Sequence, residues 1–264
     1  MANKLWSDEE MVLALALYYQ LPFGKLDQHT PEVKSLGIFI RNHINESRTD
    51  SAIAFRLTNY ASCDPYILNS GRHGMANGRN VCLPYWEKYA DNKEQLFIDA
   101  EKIRERYNET DDTFIGIESI PSGQLVGLTK EAIVKIRVNQ SAFRKMILNN
   151  YDNQCAITGI KEPQLLVASH IIPWAEDETQ RLNPENGICL SSLYDKAFDR
   201  GLITIRPDDY TIAISRELQE YKNEEFYERN FGFIENTKIT LPMEYIPSSD
   251  CLQYHNDHIF AKHN

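Results

Sequence analysis

The stretch that decides the fold runs from the middle of the chain: Cys155-Ala-Ile-Thr-Gly159, Leu165-Leu-Val-Ala-Ser-His170-Ile-Ile-Pro-Trp174, Arg181-Leu-Asn-Pro-Glu-Asn186-Gly-Ile-Cys-Leu190 and Tyr194-Asp195-Lys-Ala-Phe-Asp199-Arg-Gly201. A β-rich run ending in His170, a loop closed by Asn186-Gly187, a short strand over 188–190 and a helix from about Ser192 give the order strand, loop, strand, helix. On that helix Asp195 and Asp199 stand four residues apart, so both carboxylates project from one face and are placed to share a divalent cation. After it, a strand over 202–206, the Pro207-Asp-Asp209 turn and a strand over 210–215 form a hairpin that extends the unit.

Outward from this segment the composition is that of an ordinary folded chain. Of 264 residues, 42% are hydrophobic, 25% charged and 11% aromatic, with 12 Gly and 11 Pro, which excludes disordered and fibrous classes. The longest apolar run, Met11 to Tyr19, is too short to cross a bilayer, and no signal-like segment precedes it, so the expectation is a cytoplasmic chain without a membrane partner. The five cysteines (Cys63, Cys82, Cys155, Cys189, Cys251) never form a Cys-x-x-Cys pair and read as reduced thiols. The net charge of −10 argues against a broad basic surface, but Lys130, Lys135, Arg137, Arg144 and Lys145 cluster locally between residues 128 and 154.

Toward the N-terminus, Ser7-Asp-Glu-Glu10 has the spacing of a capping box and predicts a helix over 8–20, stopped by Pro22. A second helix is expected from Thr30-Pro31 and a third after Arg48-Thr49, ending near Cys63-Asp64-Pro65. Three short helices with tight connections match a helix-turn-helix type of module, whose last helix would present Ser51, Arg56 and Asn59 to a DNA groove. A three-helix packing domain without DNA contacts is the competing reading. Residues 69–80 read as an exposed loop, helix returns from Trp86 to about Arg106, and residues 108–127 read as linker or irregular strands. The domain division expected is 1–105 helical and DNA-binding, 106–129 linker, and 130–264 catalytic with a C-terminal extension, an α+β architecture overall.

The Ala-Ser-His-Ile-x-Pro-Trp, Asn-Gly-x-x-Leu and Asp-x-x-Phe-Asp-x-Gly signatures resemble the HNH, or ββα-metal, endonucleases, specifically their restriction-associated branch. The resemblance covers residues 134–215, with the lead-in Arg137-Val-Asn-Gln140 and Phe143-Arg144. It implies that His170 is the general base, that Asn186 orders the loop and helps hold His170, and that Asp195 takes a metal-ligand position. Asp199 would be a second ligand or would orient a water. One divalent cation per site, Mg²⁺ or Mn²⁺, is implied, with Arg144, Lys196 and Arg200 on phosphate oxygens. Relatives place an acidic residue or histidine where this chain has Ser169, a weaker ligand. Some also bind a structural zinc through two Cys-x-x-Cys pairs; here Cys155 and Cys189 stand singly at the matching places, so no structural zinc is expected. The implied function is DNA phosphodiester hydrolysis in restriction or defence, by a homodimer where both strands are cut. A non-catalytic DNA-binding regulator on the same scaffold, and an RNase or toxin nuclease, are the alternatives.

His255, His258 and His263 fall near the C-terminus, the first two in a helix-like aromatic run. They read as packing residues rather than a metal site.

Overall fold

A computed structural model describes residues 5–107 and 130–263, apart from the side chains of Lys130, Glu131 and Ile133. The linker expected over 106–129 lies almost wholly outside the described residues. The chain divides into two units, Met1–Ala142 and Phe143–Asn264.

The first unit is helical. α1 (Asp8–Gln20) starts on the expected capping box, the Ser7 hydroxyl accepting from the Glu10 N–H at 3.3 Å while the Glu10 carboxylate accepts from the Ser7 N–H at 2.9 Å. The same Glu10 is buried and meets Arg48 Nε at 2.8 Å and Asn45 Nδ2 at 3.2 Å. Burial alone would raise its carboxyl, but the hydrogen bonds from Arg48 and the Ser7 backbone hold it below the ordinary carboxylate value. α2 (Pro31–His43) begins with proline in its first turn, and α3 (Asp50–Ala61) is capped by Thr49. Then follow α4 (Pro65–Asn69), α5 (Arg79–Tyr89) and α6 (Lys93–Glu105). α5 starts well before the expected Trp86. Pro84 lies at its midpoint, where the ring removes one intrahelical N–H donor. The helical character of the unit is as expected.

α7 (Lys130–Asn150) begins in the first unit, and its last part, from Phe143, opens the second. There β1 (Leu166–His170) pairs antiparallel with β2 (Gly187–Ser191), with Leu166 opposite Ser191 and His170 opposite Gly187. α8 (Ser192–Asp199) follows β2 directly. β3 (Ile203–Ile205) and β4 (Ile212–Ile214) form the second hairpin, turned by Tyr210 at a φ of 60°. α9 (Arg216–Gln219), α10 (Glu225–Asn230) and α11 (Ser249–His258) complete the unit. The ββα order read from the sequence is therefore present, and the described residues make a mixed α+β chain.

The packing around the first hairpin has a definite logic. All of β2 is buried, and a side-chain carbon on Gly187 would lie 2.3 Å from Ile147 Cδ1 and 2.7 Å from Phe143 Cζ, so α7 presses directly on the backbone there. Residues directly opposite in a register share a face, which puts His170 on the α7 side; by the two-residue alternation Ser169 faces the other way. α8 touches both strands. Because β2 is buried on both faces and α7 covers one, α8 covers the other. The segment that precedes α11 is tied to α7 by Asn150, whose side chain donates to the Tyr245 carbonyl and accepts from the Glu244 and Tyr245 N–H groups.

Candidate active site

His170 closes β1, where the strand gives way to the loop over 171–186. The imidazole lies flat on Phe143, with ring centroids 3.6 Å apart and planes 13° from parallel, and meets Trp174 edge-on at 5.4 Å. Its Nε2 is 3.2 Å from the main-chain carbonyl of Arg181. A carbonyl only accepts, so in the neutral ring Nε2 carries the hydrogen and Nδ1 carries the lone pair. Burial between these groups pushes the pKa of His170 down to about 4; the Arg181 carbonyl works against that shift, and the Arg181 charge reinforces it. At neutral pH the ring is thus uncharged, with Nδ1 available to take a proton.

Asn186 holds the loop that carries the carbonyl. Its side chain is fully buried; Oδ1 accepts from the Ile172 N–H at 2.8 Å, and Nδ2 donates to the carbonyls of Ile172 at 3.2 Å and Gln180 at 3.3 Å. Its main-chain carbonyl accepts from the Ile171 N–H at 3.0 Å. An asparagine carries both a donor pair and an acceptor, which is what bridging an N–H and two carbonyls requires. The side chain thereby ties both ends of the loop to the start of β2, one residue from the partner of His170.

The acids separate. Asp195 is buried in α8, whereas Asp199, one turn on, is exposed, as are Lys196 and Arg200. Among the described residues no three His, Cys, Asp or Glu side chains gather into a group that could hold a metal ion. Ser169 is only 2% exposed and its hydroxyl has no hydrogen-bond partner, an unusual state for a buried donor. Arg144 is committed to main-chain carbonyls, donating to Leu166 at 2.7 Å and Pro163 at 2.8 Å. In the helical unit Arg56 lies over the Trp6 ring, 4.6 Å from its centroid, and faces Cys82 Sγ at 3.5 Å, while Asn59 donates to the Met75 carbonyl at 2.8 Å.

The cysteines serve the scaffold. Cys155 and Cys189 are fully buried, and Cys155 Sγ accepts from the N–H groups of Thr158 at 3.5 Å and Ser191 at 3.2 Å, joining its turn to the end of β2. Burial, and then the nearby Cys155, push the Cys189 thiol up to about 12. His255 is also structural. It is 1% exposed, stacks on Phe198 at 3.7 Å, and pairs with Thr204 Oγ1 at 2.8 Å and the Phe198 carbonyl at 3.0 Å.

Two contributors to the site carry no marker in the sequence. Phe143 belongs to the recognised lead-in, but nothing in its spacing marks it as the plane on which His170 rests. Arg181 acts through its main chain, which no side-chain pattern reports.

Residues 155–206, about a fifth of the chain, match the family model described as HNH endonuclease. No curated protein matches the chain. The matched segment runs from the Cys155 turn through both strands and α8 to the end of β3, and holds His170, Asn186 and Asp195 in the ββα arrangement; it is on these residues that the chain carries an HNH endonuclease domain.

Proposed function

We propose that the protein is a divalent-metal-dependent endonuclease that hydrolyses DNA phosphodiester bonds in a restriction or other defence role. The observation that carries this reading is the state of His170: neutral, fixed in plane by Phe143, and turned so that Nε2 is spent on the Arg181 carbonyl while Nδ1 keeps a lone pair. In hydrolysis Nδ1 takes a proton from water as the water oxygen bonds to phosphorus; the P–O bond to the 3′ oxygen then breaks, leaving a 5′-phosphate and, once that oxygen is protonated, a 3′-hydroxyl. Positioned proton transfer of this kind contributes on the order of 10²- to 10⁴-fold.

The donors fit a hard cation. Ser169 contributes a buried hydroxyl without a partner, and Asp195 a buried carboxylate on the helix that follows β2. Two protein oxygens suit Mg²⁺ or Mn²⁺, which retain several waters and take few protein ligands. Ser169 and Asp195, on the face of the hairpin turned away from the His170 ring, would hold the ion, with Asp199 joining or orienting a water from the next turn. When bound, a divalent cation would supply charge stabilisation at the phosphate. Asn186 keeps the Arg181 carbonyl in place against His170. Lys196 and Arg200, exposed on α8, hold phosphate oxygens beyond the scissile one. The helical first unit sets target choice, and a duplex break takes two copies, one per strand.

The test is plasmid nicking in Mg²⁺ or Mn²⁺ by the wild type and His170→Ala, with structured RNA in parallel. Nicking of DNA that the substitution abolishes supports the reading. Equal behaviour of the two proteins refutes catalysis and leaves a DNA-binding regulator, and cleavage confined to RNA makes the protein a ribonuclease.

A further inference from the structure

Most of the cations expected on phosphate are used elsewhere or stand away from His170: Arg144 braces two carbonyls, Arg56 packs on Trp6, and Lys196 and Arg200 lie on α8. Arg181 is the cation that shares a loop with the base. Its carbonyl touches the His170 ring, so its own backbone is locked at hydrogen-bond distance from that side chain. The guanidinium folds back over the Trp174 indole, 5.0 Å from the ring centroid, and Nε donates to the Trp174 carbonyl at 3.1 Å. Trp174 in turn meets the His170 ring edge. Arg181, Trp174 and His170 thus form one contiguous layer.

The end of the guanidinium facing away from that carbonyl meets a carboxylate. Arg181 Nη1 lies 3.1 Å from Glu178 Oε1, and the side chain of Glu178 is 80% exposed against 19% for Arg181. The two sides of this ion pair are therefore unequal. The arginine is held on its indole face and through Nε whether or not Glu178 is present, while the Glu178 side chain has no further partner among the described residues and is open to solvent. Neighbouring Asp177 is differently occupied, accepting from the Thr179 N–H at 2.8 Å and Thr179 Oγ1 at 2.7 Å. An exposed ion pair is weak and exchangeable. A guanidinium fork accepts a phosphate with the same geometry as a carboxylate.

Building on the nuclease reading, we propose that Arg181 is a phosphate-binding residue beside His170, and that Glu178 is a resident anion which a nucleic-acid phosphate displaces. Glu178 stands where a phosphate oxygen would stand, so it competes with substrate. A purely structural ion pair makes the opposite demand: removing the glutamate would loosen the loop and weaken binding, or leave it unchanged.

The experiment measures binding of the full chain to a fluorescein-labelled DNA duplex by anisotropy in EDTA, between 50 and 200 mM salt, alongside plasmid nicking in Mg²⁺. Glu178→Gln should bind about two- to fivefold more tightly, as expected when a weak surface competitor is removed. Arg181→Gln should bind more weakly, and its plot of log affinity against log salt should be shallower by about 0.9, the loss of one phosphate contact. Arg181→Lys should keep the slope. Unchanged or weaker binding by Glu178→Gln overturns the proposal, and since that side chain is exposed the variant folds even if Arg181→Gln does not. Wild-type nicking with no shift in either variant refutes this assignment alone, whereas absent nicking strikes at the nuclease reading itself.

Discussion

Acidification should destabilise the second unit through His255, and the size of the effect follows from how that ring is enclosed. With 1% exposure, a face on Phe198 and both nitrogens paired, the imidazole is kept neutral, and burial pushes its pKa down to about 4 from an ordinary 6.5. The unfolded chain therefore binds a proton between pH 6.5 and 4 that the folded one refuses. Folding stability must rise with pH across that window and lose its dependence on this group above 6.5. At 1.36 kcal/mol per unit, descent from pH 6.5 to 5 costs about 2 kcal/mol, and descent to 4 about 3 kcal/mol. His170 acts in the same direction with a smaller contribution, because its ring retains some exposure. The buried Glu10 lies in the other unit and its depressed carboxyl titrates below the ordinary carboxylate value, so its destabilising effect comes at lower pH. The assay is urea denaturation of wild type and His255→Gln by circular dichroism, in half-unit steps from pH 7.5 to 5. The difference between the two proteins cancels every other titrating group. Wild type should be the more stable at pH 7.5 and should lose about 2 kcal/mol of that advantage by pH 5. Parallel curves would refute a buried neutral His255.

Two further substitutions bear on the site. Asn186→Ala strands the Ile172 N–H and the carbonyls of Ile172 and Gln180, and at about 1 kcal/mol or more for each buried group left unpaired it should lower stability by about 3 kcal/mol, seen as a shift in the urea midpoint. Unchanged stability would mean that water replaces the amide. Gly187→Ala places a methyl group 2.3 Å from Ile147 Cδ1 and 2.7 Å from Phe143 Cζ. The overpacking should cost about 1–3 kcal/mol and, by moving Phe143, lower the nicking rate of the protein that remains folded. A variant that loses stability but keeps its rate would show that the Phe143 face does not position His170.

What the sequence discloses about this site, and what it conceals, divides along the length of the interactions involved. β1, β2 and α8 were legible because strand alternation, an Asn-Gly turn and a helical acid pair are set by neighbours within a few residues, and the structure keeps their order. The cations were not legible in the same way. A sequence displays donors but not the acceptors that will claim them, and Arg144 and Arg56, like the neutral amide of Asn59, each turn onto partners brought near by folding. The same holds for the acids: equal spacing on a helix face let Asp195 and Asp199 be read as a pair, but burial treats them differently.

The consequence for the chemistry is specific. The motif supplies an imidazole at residue 170, but a histidine is a usable base only if one nitrogen is spent, the other is free and the ring is uncharged. Those three conditions are met by the carbonyl of a residue eleven positions along the chain, by the ring of Phe143 on α7, and by burial between them. Asn186 links the two levels, because it is visible in the sequence and its three side-chain bonds are what keep the carbonyl in reach. The rate of hydrolysis should therefore respond to Phe143 and Gly187 as well as to the motif itself, and those positions separate a base merely present in the fold from one held ready to act.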